Sequence, residues 1–179
     1  MSLTVKERGE LIATYRFIEV QLMETLAKWV PTTPEMEIKL LFGAHIWDAA
    51  QHADALGKRT YELRLPLQHS MRPSDKYSSV LEELAAAKNS ADRIAGFYDV
   101  MLPALETRFR NYLSQTDPLM DAPSVRILER ILQDNSRMIK ESNELRAQIK
   151  IGPIDGAWLK RLAETESSIN TVVAPKTAA

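Results

Sequence analysis

Apolar residues recur along this chain at steps of three and four, the period of an α-helix with one buried face. Leu11, Tyr15, Ile18, Leu22, Leu26 and Trp29 form the first such stripe, which ends before Pro31. A second helix is predicted from "TTPE", with Thr32 or Thr33 as N-cap and Pro34 in the first turn, running to about Arg64. A third starts near "NSADR" and carries Ile94, Phe97, Met101, Leu105, Phe109 and Tyr112. Pro103 lies inside it and predicts a kink, because its ring opposes the carbonyl of Asp99. The fourth opens at "DAPS" with Asp121 as N-cap and carries Val125, Leu128, Ile131, Leu132, Met138, Ile139, Leu145 and Ile149 up to Gly152-Pro153.

These four helices span about 40 Å each at ~1.5 Å per residue. The first two are joined by a tight turn, as are the last two. The middle connection, residues 65–90, is long: the loop "PLQHSMRPSDKYSS" and a short helix "VLEELAAAKN". Two antiparallel hairpins joined by one crossover make a ferritin-like four-helix bundle, an all-α fold. "DGAWLKRLAETESS" adds a short C-terminal helix capped by Asp155. The organisation expected is an arm at 1–9, the bundle at 10–152, the extra helix at 153–168 and a tail at 169–179.

Composition narrows the function. With 23 Lys and Arg against 24 Asp and Glu, scattered along 179 residues, the chain has no basic patch for nucleic acid. No apolar run approaches the ~18 residues of a membrane span, and "MSLTVKERGEL" has no apolar h-region of a secretory signal, so a cytoplasmic location is expected. The absence of cysteine excludes disulfides, thiolate metal sites and cysteine nucleophiles. Apolar residues beyond a single stripe on the first two helices (Phe17, Val20, Ile46, Trp47) imply a homodimer.

The candidate chemistry lies in "FGAHIWDAAQHADALGKR". His45, Asp48 and His52 fall within about 60° around a helix axis, flanked on the same face by Leu41, Ala49 and Leu56. Glu19 sits among Tyr15, Leu22, Met23 and Leu26 on the first helix, Glu106 beyond Pro103 on the third, and Asn135 and Ser142 in the fourth stripe. Pairing each hairpin about its turn sets residue 19 opposite roughly 45–48, and residue 106 opposite roughly 131–135. Glu19, Asp48, His52, Glu106 and Asn135 can then meet at mid-bundle. His45 and His52 are about 10 Å apart along the axis and do not share one ion, whereas Asp48 and His52 are one turn apart. The plainer alternatives are a solvated Glu19 and an Asp48–His52 hydrogen bond within one helix.

"LLFGAHIWDAAQHADALGKRTYELR", with "DPLMDAPSVRILERIL", resembles small bacterial proteins of the ferritin-like superfamily over residues ~10–150. Di-metal sites of that type take a Glu from each of two helices and a Glu-x-x-His from each of the other two. The resemblance matches Glu19 to the first-helix Glu, His52 to the second-helix His with Asp48 as substitute carboxylate, and Glu106 to the third-helix Glu. On the fourth helix Asn135 and Met138 hold the ligand positions, so the set is incomplete, and a thioether does not suit Fe(II) or Mn(II). Two functions follow. In one, a metal-poor or metal-free bundle binds or transforms a small organic molecule in a pocket including Tyr15, Asn135 and Met138, with Asp48, His52 and His45 as acid–base groups. In the other, a single iron or manganese ion on Glu19, Asp48, His52 and Glu106 activates oxygen, with His45 in the outer shell.

Overall fold

The computed structural model describes residues 3–175, so residues 1–2 of the expected arm and 176–179 of the expected tail lie outside it. The described chain is helical: α1 Val5–Trp29, a 3₁₀ turn Val30–Thr32, α2 Met36–Glu62, α3 Asp75–Ala85, α4 Ser90–Ile94, a π-helix Ala95–Met101, α5 Leu102–Gln115, α6 Ala122–Gln148 and α7 Gly156–Ser167. No strand forms among the described residues; an isolated bridge pairs Pro73 with Val173. No helix among them is long and apolar enough to cross a membrane.

Local chemistry explains where the boundaries moved from the sequence expectation. The supposed arm is already helix from Val5, because Thr4 and Glu7 form a reciprocal capping box. Thr33 does not cap α2. Its hydroxyl donates to the carbonyl of Trp29 at 2.8 Å, closing the end of α1, and α2 starts after Glu35. α2 ends where Arg64 enters the left-handed region at φ 67°. Residues 169–175 do not hang free: Ile169 and Val172 are buried, and Val173 is held by its bridge to Pro73.

Pro103 stands in the first turn of α5, and ahead of it the seven residues Ala95–Met101 widen into a π-helix in which the N–H of Leu102 reaches the carbonyl of Phe97. An i→i−5 pattern ahead of the proline lets the helix pass a residue that has no N–H and crowds the preceding turn. This segment carries Tyr98, which is completely buried. Gly96 lies under Trp158 of α7, whose ring would be 2.7 Å from a Cβ at that position, so the missing side chain is what lets α7 dock.

The four long helices close a ring. α1 packs along α2, α2 on α6, and α6 on α5. Tyr15 of α1 closes the circuit with edge contacts to Phe109 and Tyr112 of α5, at 5.0 and 6.3 Å between ring centres. Trp29, Phe42, Phe97 and Tyr98 fill the opposite end as a chain of contacting rings. Between these two aromatic plugs the polar residues Glu19, His52 and Asn135 are buried along with apolar Leu22, Leu105 and Met138.

Candidate functional site: an acid–base ladder between α2 and α6

α2 projects His45, Asp48 and His52 at steps of three and four, so they fall on one stripe. α6 presents Asp134, Arg137 and Glu141 at the same steps. The two helices run antiparallel, and the six side chains meet as three rungs. His45 Nε2 lies 2.8 Å from Glu141 Oε2, Arg137 Nη2 lies 2.9 Å from Asp48 Oδ1, and His52 Nε2 lies 3.3 Å from Asp134 Oδ2. Arg137 also binds the uprights, at 3.2 Å to Asp134 and 3.2 Å to Glu141. Two buried groups extend the ladder into the core. Tyr98 Oη is 2.7 Å from His45 Nδ1, and Glu19 Oε2 is 3.4 Å from His52 Nδ1.

The sequence-predicted residues therefore part company. Glu19 and His52 come together in the interior, each 4 % exposed at the side chain. Asp48 does not pair with His52 across one turn; it points along the seam to Arg137 and keeps 19 % of its side-chain exposure. Glu106 is drawn to α6 elsewhere, accepting from Ser136 at 3.2 Å and lying 4.0 Å from Arg110. Tyr15 belongs to the aromatic plug, its hydroxyl donating to the carbonyl of Arg108. Asn135 and Met138 are buried as the stripe requires, and Asn135 Nδ2, like Glu19 Oε1, has no protein hydrogen-bond partner.

Asp134, Arg137, Glu141 and Tyr98 did not stand out from the sequence. The apolar stripe of α6 puts Asn135 and Met138 inward, so their charged neighbours read as a solvated face. They occupy its edge beside α2, where Asp134, Arg137 and Glu141 reach the α2 stripe while keeping part of their exposure. One signal was present: 134, 137 and 141 step by three and four as 45, 48 and 52 do, so two antiparallel stripes stay within one residue of register over three successive pairs.

The two histidines are tuned in opposite directions. Burial dominates at His45 and, against the pull of Glu141 and Asp48, holds its pKa below the ordinary 6.5. At His52 burial also pulls down, but the charge of Glu19 and hydrogen bonds to Glu19 and Asp134 outweigh it, so its pKa is raised. Burial drives the Tyr98 phenol well above 10, so it stays protonated and donates to His45 Nδ1. That fixes the tautomer: neutral His45 carries its proton on Nε2 and donates to Glu141. Burial alone would raise Glu141, but hydrogen bonds from His45 and Arg137 hold it below the ordinary carboxylate value. Paired titratable groups pushed apart in this way are the usual basis for an acid and a base in one site.

The ladder does not fit the iron or manganese ion that the ferritin-like resemblance implies. Arg137 already lies among Asp48, Asp134 and Glu141, the place a cation would take. The two nitrogens of His52 face different carboxylates on opposite edges of the ring. Among the described residues no three His, Cys, Asp or Glu side chains are grouped to hold one ion. What the site can do is hold and move protons. A cleft of about 220 Å³ opens over His52, lined by Gln51, Asp54, Ala55, Lys58, Arg130 and Ile131.

No protein-family model, curated protein or solved structure matches this chain.

Proposed function

We propose that this protein is a ferritin-like four-helix bundle whose metal site has given way to a guanidinium-centred acid–base site for a small organic molecule. The observation that carries the reading is Arg137 bridging three carboxylates between two oppositely tuned histidines. The ring order α1, α2, α6, α5 and the long connection between α2 and α5 support the bundle topology. In this role His52, as imidazolium, exchanges its Nε2 hydrogen bond to Asp134 for one to the molecule in the cleft and gives that molecule the Nε2 proton. Glu19 steadies the charged ring from behind, and Arg137 holds Asp48, Asp134 and Glu141 in place along the seam.

Two measurements test this together. Elemental analysis of protein from iron- and manganese-supplemented cells is expected to find much less than one metal per chain. One iron or manganese per chain, lost on His52→Ala, would instead establish the oxygen-activating alternative. By NMR, His52 is expected to titrate above 6.5 and His45 below it. Glu19→Gln should bring His52 down, because it removes the largest influence opposing burial, while His45 stays in place. Both rings titrating at the ordinary value would reject the acid–base reading.

We also propose a homodimer formed through the outer face of α2. Met36, Leu40 and Trp47 are 61 %, 67 % and 67 % exposed on one stripe, and Gly43 between them leaves open space above its backbone. In an antiparallel pair centred at the level of residue 45, each Trp47 lies opposite Gly43 of the other copy, so one surface serves as both knob and hole. Light scattering should give about twice the 20.3 kDa chain mass, and Trp47→Glu should return it to the monomer value. A wild-type monomer at high concentration would rule the pairing out.

A further inference from the structure

The cleft over His52 has a composition that selects its guest. Its floor is the His52 ring, one wall is apolar (Ala55 and Ile131), and its rim carries Gln51, Lys58 and Arg130 against a single lining carboxylate, Asp54. That carboxylate is already engaged by Lys58 at 2.6 Å and by the amide of Gln68 at 3.0 Å. Behind the floor, Glu19 and Asp134 face His52, and Asp134 is shared with Arg137 at 3.2 Å and Arg130 at 3.7 Å. The acidic groups around the cleft are thus partnered, while the two rim cations keep most of their exposure, 67 % for Lys58 and 81 % for Arg130. Surface ion pairs of this kind are worth ~0–1 kcal/mol, so a ligand anion can recruit either cation at little cost. At ~30 Å³ per water-sized unit, a volume of 220 Å³ holds a molecule of about seven heavy atoms.

We propose that this cleft binds a small organic anion, its carboxylate or phosphate held by Lys58, Arg130 and the Gln51 amide, and its short apolar body lying on Ala55 and Ile131 against His52. The inference rests on the acid–base reading of His52 and adds the class of molecule that site takes. Charge on the ligand supplies orientation: the anionic end is fixed at the rim, and the reacting portion is directed to the imidazole at the floor. Lys and Arg divide the work by geometry. Arg130 offers a planar two-pronged contact, and Lys58 a point charge that adapts to either anion.

The test uses the full chain, with His-ring resonances followed by NMR at constant ionic strength. Propionate and methyl phosphate are the anionic probes, and propionamide is the neutral probe of the same shape. A saturable shift of His52 is expected with at least one anion, while His45, enclosed away from the cleft, stays still. The stronger of the two anions identifies the head group. Propionamide should give no saturable shift, and Lys58→Gln with Arg130→Gln together should weaken anion binding about tenfold. An equal response to propionamide, undiminished binding in the double variant, or no saturable His52 shift with either anion would overturn the proposal. The titration of His52 in anion-free buffer is read separately. A His52 that is ionised but blind to both anions rejects this inference alone, whereas a His52 of ordinary or low pKa rejects the acid–base reading beneath it.

Discussion

Asp121→Ala is expected to cost about 3–5 kcal/mol of stability, the usual result of removing one member of a buried charge cluster. Asp121 is fully buried and accepts from Arg59 at 2.8 Å, Ser124 at 2.6 Å, Tyr112 at 2.7 Å and Thr116 at 2.7 Å. It thereby ties the end of α2, the end of α5 and the start of α6 into one knot. With alanine there, the Arg59 guanidinium, itself 7 % exposed, stays buried with Ser124 Oγ at 2.8 Å and the exposed Glu62 as its remaining partners. For a chain of this size the loss corresponds to a fall in Tm of roughly 6–20 °C by calorimetry. The pH dependence has a defined sign. Burial alone would raise the Asp121 pKa, but the hydrogen bonds from Ser124, Tyr112, Thr116 and Arg59 outweigh it and hold it below 3.8. Its contribution is therefore present above that value and lost as pH falls through the depressed folded pKa. Urea unfolding across the acid range should show the variant missing that acid-side loss. A cost under about 1 kcal/mol would mean that the knot is not what holds this end of the bundle.

The second large effect is at His52. His52→Ala leaves the buried Glu19 carboxylate without its hydrogen-bonded partner, and breaking such a pair costs about 3–5 kcal/mol. Because the folded His52 pKa is raised, the ion-pair contribution is fully present below 6.5 and is lost as pH rises through the folded value. The cost of His52→Ala should therefore be largest on the acid side of neutrality and shrink in alkaline buffer. His45, with its lowered pKa, runs the other way: its contribution is present above 6.5 and lost as pH falls. Adding Glu19→Gln to His52→Ala should recover part of the loss, since the second change removes the stranded charge. Strict additivity of the two changes, measured as a double-mutant cycle, would show that the residues do not act as a pair.

The two effects differ in how visible they were beforehand. Asp121 announced itself as an N-cap, and it does stand at the start of α6. Its side chain nevertheless makes no cap hydrogen bond; it turns inward to Arg59, a residue 62 positions away that no local pattern links to it. The stripe of His45, Asp48 and His52 was legible, whereas Glu19 could be placed only on or beside the buried face, with a solvated position left open. The partners of that stripe were not, because a helix edge that faces only solvent is indistinguishable in sequence from a half-exposed edge that a neighbouring helix borders.

Periodicity and turn chemistry were enough to place helices, since both depend on residues within about four positions of each other. They yielded the all-helical class, the four long apolar stripes and the proline-perturbed third helix. The rotation of α6 against α2 is different in kind. It comes from packing summed over the length of both helices, and a turn of about 100°, one residue's worth, decides whether Asn135 and Met138 or Asp134, Arg137 and Glu141 meet the histidines. That rotation put a guanidinium among the carboxylates, left His52 between Glu19 and Asp134, and gave two histidines on one stripe opposite pKa shifts. No local rule encodes it, because the contacts that set it join residues 82 to 96 positions apart.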